Sequence, residues 1–86
     1  MHFQLGKIVA TQGVRQKFST QQMSECLNRH KNGDWGDLDE QDIETNNKSV
    51  RLKGMILSNY KFPAGSMYII TDPGHQVTTI LLPEEY

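Results

Sequence analysis

The spacing of apolar residues changes at Gly54, and that change limits the chain to a mixed helix-and-strand fold. Ahead of it, Ser19 and Gln22 form a capping-box pair, and Met23, Cys26, Leu27 and His30 follow at i, i+3, i+4 and i+7. Asn32 and Gly33 supply a C-cap, so the spacing predicts a helix over 20–32. Asp37 with Glu40 marks a second helix start, with Asp39, Glu40 and Asp42 at the positive end of its dipole. Ile43, Asn47 and Val50 continue that helix, Lys48, Arg51 and Lys53 gather at its negative end, and Gly54 stops it. Beyond Gly54 the period is two. Met55–Phe62, Met67–Thr71 and Val77–Leu82 read as strands, with Asp72-Pro73-Gly74-His75 as a type II turn and Pro83 as the terminator.

At the other end, Phe3–Thr11 reads as a strand because Ile8, Val9 and Thr11 are β-branched, and Gly13–Phe18 as a helical turn. The order predicts an α+β domain over 1–86: a small single-layer antiparallel sheet, made of the N-terminal strand and a C-terminal three-strand meander, packed against two helices. The position of the first strand beside the meander stays open. A free edge strand would serve a homodimer as readily as a foreign partner.

Eighty-six residues, 36% of them hydrophobic, leave few large side chains to spare for a deep substrate cavity, which favours a non-enzymatic role. Nine basic against ten acidic residues argue against duplex DNA bound through bulk charge. The single cysteine, Cys26, allows no internal disulfide, and no apolar run is long enough to span a bilayer, so a cytoplasmic protein without membrane contact is expected.

The most unusual stretch is GDWGDLDEQDIE, residues 33–44, with six carboxylates, no basic group and the one tryptophan between two glycines. As a calcium loop it fails on spacing. With Asp37 and Asp39 as first and third ligands, Asp42 would fall at the glycine position and Lys48 at the closing glutamate. As a protein-binding epitope, Trp35 would be the apolar anchor and Asp34, Asp37, Asp39 and Asp42 its acidic surround. The competing reading makes Trp35 a core plug and the acids helix caps. Cys26 and His30, at i and i+4, are two ligands where zinc wants four, and as a nucleophilic pair they lack a visible oxyanion site. Neither a metal nor another cofactor is expected. Lys48, Arg51, Lys53 and Lys61 with Tyr60, and with Phe62 and Tyr68 nearby, form an alternative nucleic-acid surface, although no RNA-binding motif is present.

Three segments together, LGKIVAT (5–11), RHKNGDWGDLDEQD (29–42) and VTTILLPEEY (77–86), with Ile69-Ile70-Thr71 before the last, resemble a family of small proteins carried by plasmids and phages, to which no reaction is assigned. Where its members carry an acidic residue and then arginine ahead of the last strand, this chain has Pro73-Gly74-His75. The resemblance implies a mobile-element accessory protein, of the size that binds and blocks a host defence complex such as a CRISPR effector or a restriction enzyme. In that role the acidic loop would meet the partner's basic nucleic-acid channel, giving an anti-CRISPR or antirestriction inhibitor that acts by stoichiometric occlusion. A small nucleic-acid-associated regulator of the element is the alternative.

Overall fold

The computed structural model of the protein describes residues 3–86. Its elements run β1 (Lys7–Ala10), α1 (Gln12–Lys17), α2 (Thr20–Lys31), α3 (Glu40–Leu52), β2 (Ile56–Phe62), β3 (Gly65–Thr71) and β4 (Val77–Leu81), followed by a 3₁₀ turn at Pro83–Glu85. The expected α+β class holds: the N-terminal strand and the meander share one sheet, and helices pack against it. Several details differ from expectation. The sheet order is β1-β4-β3-β2 and β1 lies parallel to β4, so the sheet is mixed. The turn after β1 closes into a third, short helix, capped by Thr11, whose side chain accepts from the Val14 amide.

The first strand is also shorter than its β-branched run suggested. Gly6 takes φ 67° against β4, where an added Cβ would lie 2.1 Å from the Gln76 carbonyl oxygen, and the chain before it bends off the sheet. Phe3 and Leu5 thereby drop into the core. The capping box at Ser19 and Gln22 forms as read, and α2 ends at Asn32 with Gly33 at φ 84°. Asp39, rather than Asp37, caps α3, and its other end is closed by Lys53 in the left-handed region, one residue ahead of Gly54. The hairpin between β2 and β3 is tighter than its sequence implied, since Phe62 pairs with Gly65 across Pro63 and Ala64.

Register separates the two sides of the sheet. Ile56, Ser58 and Tyr60 of β2 align with Thr71, Ile69 and Met67 of β3, and Ile69 and Thr71 with Ile80 and Thr78 of β4. All of these are buried under the helices. Val14, Phe18 and Cys26 close one end of that core, and Phe3, Trp35 and Ile56, with Ile43 and Val50 of α3, close the other. The opposite side carries Val9, Val77, Thr79, Leu81, Tyr68, Ile70, Leu57 and Asn59. No described α-helix packs on it; the segment after the 3₁₀ turn returns onto it, Tyr86 against Tyr68, and Ile70 and Leu81 are buried there.

Candidate functional site

The acidic loop is built inward. Trp35 is only 4% exposed, packed edge-on against His30 and tilted against Phe3, and its indole N–H donates to Asn47 Oδ1 at 3.1 Å. It is the core plug, and its assignment as an exposed anchor is corrected. Gly36 must be glycine: at φ 77° the loop bridges to β2, and a Cβ there would sit 2.1 Å from the Asn59 carbonyl oxygen.

Several of the predicted carboxylates have intramolecular work. Asp34 accepts two hydrogen bonds from Arg29, at 2.7 and 3.2 Å, which hold its carboxyl below the ordinary carboxylate range. The same guanidinium stacks over the Tyr60 ring, 4.6 Å from its centroid, and Tyr60 donates to the Asp34 carbonyl at 2.7 Å. Asp37 pairs with Lys61 at 2.6 Å, and Asp39 accepts from the Asp42 amide at 2.8 Å as the α3 cap. The acids left facing water line the first turns of α3: Glu40, Asp42 and Glu44, the last 3.6 Å from Lys48.

The alternative basic surface is divided by the same contacts. Tyr60 is buried, so it offers no ring face to a base, and burial pushes its phenol above the usual range. Lys61 is tied to Asp37, and Lys48 stands beside Glu44, while Arg51 and Lys53 stay exposed at the end of α3. These residues do not form one stacking platform.

His30 lies at the centre of a buried polar chain. The Thr78 hydroxyl donates to the Leu5 carbonyl at 2.7 Å, so the Thr71 hydroxyl, 2.8 Å away, donates to Thr78. Thr71 then accepts from His30 Nε2–H at 2.9 Å, and Nδ1 accepts from the Ser58 hydroxyl at 2.5 Å. Burial, with His75 adding repulsion, pushes the imidazole pKa down to about 3, so the ring is neutral. Both ring nitrogens being engaged, His30 does not serve Cys26 as a base. Burial raises the Cys26 thiol, with the Arg29 charge opposing it in part. Alkylation of Cys26 by iodoacetamide at neutral pH should therefore proceed only with unfolding, and labelling at the rate of a free thiol in the native protein would overturn that placement.

Among the described residues, no cluster of three His, Cys, Asp or Glu side chains can hold a metal, and no helix is long and apolar enough to cross a membrane. His2, at the amino end, lies outside the described residues.

The surface that sequence reasoning missed is on the side without α-helices. Tyr86 is 69% exposed and packs edge-on against Tyr68, ring centroids 6.1 Å apart, with its hydroxyl 4.0 Å from Met55 Sδ. Met55 and Leu57 share a hollow of about 90 Å³ with Leu38, Asp42, Thr45 and Asn46 of the α3 region. An aromatic and methionine strip thus runs into the acidic start of α3. The terminal segment is held by Glu85, whose carboxylate accepts from the Thr11 hydroxyl at 2.8 Å and the Leu82 amide at 2.7 Å. The signal was the opposite phase of the β2 alternation, which puts Met55 and Leu57 across the sheet from Ile56, Ser58 and Tyr60.

No protein-family profile, curated protein or solved structure matches this chain.

Proposed function

We propose that this protein is a non-enzymatic binding protein that occludes a surface of a larger protein partner. The observation that carries the reading is the side of the sheet without α-helices, where Tyr86, Tyr68, Met55 and Leu57 form an accessible strip that reaches Asp42 at the exposed acidic start of α3. Aromatic and methionine side chains supply contact area, and a charged margin steers approach to a basic surface. The interior offers the complementary argument: Cys26, His30, Ser58 and Tyr60 are all buried, and the contacts of His30 are spent within the core.

The mobile-element resemblance supports a host defence nuclease complex as the partner, since its nucleic-acid channel is the basic surface that Glu40, Asp42 and Glu44 would meet. The anchor in this reading moves from Trp35 to Tyr86 and Met55. Titration of the protein into DNA-cleavage reactions of purified CRISPR effectors and restriction enzymes tests it. Stoichiometric loss of cleavage by one of them is expected, with the Met55→Glu/Tyr86→Ala double variant weaker by roughly tenfold or more. Unimpaired cleavage throughout, or equal inhibition by the variant, would count against the reading.

A further inference from the structure

The two edges of the sheet are finished differently. Along β2, the Asn59 amide donates to the Trp35 carbonyl at 3.0 Å and the Asp37 amide donates to the Asn59 carbonyl at 2.7 Å. One turn further, the Asn46 side chain donates to the Leu57 carbonyl at 2.7 Å and accepts from its amide at 3.2 Å. Along β1 the described residues provide no such cover. The Lys7 and Thr11 amides point inward, donating to Gln76 and Ile80 at 2.9 and 3.0 Å. By strand alternation, Ile8 and Ala10 direct their amides and carbonyls outward, where β1 forms the edge of the described sheet.

We infer that β1 seats a two-fold homodimer, in which Lys7–Ala10 of two copies pair antiparallel and join the two sheets into one. Symmetric pairing requires outward-facing residues to stand opposite outward-facing residues. Ile8 opposite Ala10 of the second copy meets that condition and closes four hydrogen bonds around an axis through Val9. Registers one step to either side, centred on Ile8 or Ala10, run into the Gly6 bend or the first turn of α1 and keep only the central pair of bonds.

The side chains suit the same register. Val9, 39% exposed in the single chain, meets Val9 of the second copy at the closer, non-hydrogen-bonded spacing, and Ile8, 43% exposed, lies across from the small Ala10. Lys7 falls opposite Thr11, so no like charges are directly opposed, and a net charge of −1 adds little repulsion between copies. The axis is perpendicular to the sheet, so the Tyr86 strips of both copies lie on one side. The contact is short, which makes the association weak and dependent on concentration.

Sedimentation equilibrium of the full chain, from about 10 μM to about 1 mM, reads this without any partner, so its outcome is separable from the occlusion reading. The mass should rise from 9.8 kDa toward twice that value. Val9→Lys and Val9→Glu should each hold the chain monomeric, by placing like charges across the axis, with circular dichroism unchanged. An equimolar mixture of the two should recover the dimer. A wild-type chain that stays monomeric, a dimer indifferent to either variant, or a mixture that stays monomeric would each overturn the inference.

Discussion

Taking the protein from pH 7 to pH 4.5 should lower its stability by about 3 kcal/mol, with His30 as the cause. In the unfolded chain this imidazole titrates near 6.5, and in the fold it is held near 3. Between those values the unfolded state binds a proton that the folded state refuses. Stability is therefore full above pH 6.5 and falls by about 1.4 kcal/mol for each pH unit below it, until the folded pKa is reached. Asp34, whose carboxyl is depressed by Arg29, loses its contribution only at still lower pH, below its ordinary value of 3.8. The window from 6.5 to 4.5 thus isolates the histidine from that carboxylate. For a domain of this size the loss corresponds to a melting temperature lower by roughly 10–25 °C. Calorimetric melts across the window check it. His30→Gln, neutral at every pH and able to donate and accept, should be less stable at pH 7 but should lose most of the slope between 6.5 and 4.5. An unchanged slope in that variant would sink the assignment.

The same histidine shows where sequence reading stops. His30 fell on the apolar stripe of α2 at i+7, and its burial followed from that position. Its partners did not, because Ser58 and Thr71 lie 28 and 41 residues away and meet it only once β2 and β3 are in register. Elements set by local chemistry were legible: the Ser19–Gln22 capping box, the Asn32–Gly33 stop and the Pro73-Gly74 turn depend on neighbours in the chain. The parallel placement of β1 beside β4 was not, since a run of β-branched residues indicates a strand and carries no record of the strand beside it. Met55 and Tyr86 escaped notice for a related reason. One heads the strand read over Met55–Phe62 and the other follows a terminating proline, and only the return of the last turn against Tyr68 brings them together.

Trp35→Ala should destabilise the fold by about 3–5 kcal/mol, the range for truncating a large buried aromatic. The loss has three parts: the cavity beside Phe3, His30 and Ile56, the orphaned Asn47 acceptor, and the freed start of the loop that covers the β2 edge. Gly36→Ala should do comparable harm by another route, because its Cβ would overlap the Asn59 carbonyl and force the bridge to β2 apart. Trp35→Phe, which keeps a ring in the site and gives up the indole hydrogen bond, should recover much of the loss. Chemical denaturation of the three variants with a two-state fit measures these differences. A Trp35→Ala protein as stable as wild type would return the tryptophan to the surface and with it the original epitope. If instead the ranking holds, loss of partner binding in Trp35→Ala reports unfolding, and Tyr86 and Met55, exposed and outside both core clusters, are the positions at which binding and stability can be varied separately. The Gly33–Gly36 segment is then a structural clasp, and the surface available to a partner begins where that clasp releases the chain into the acidic turns of α3.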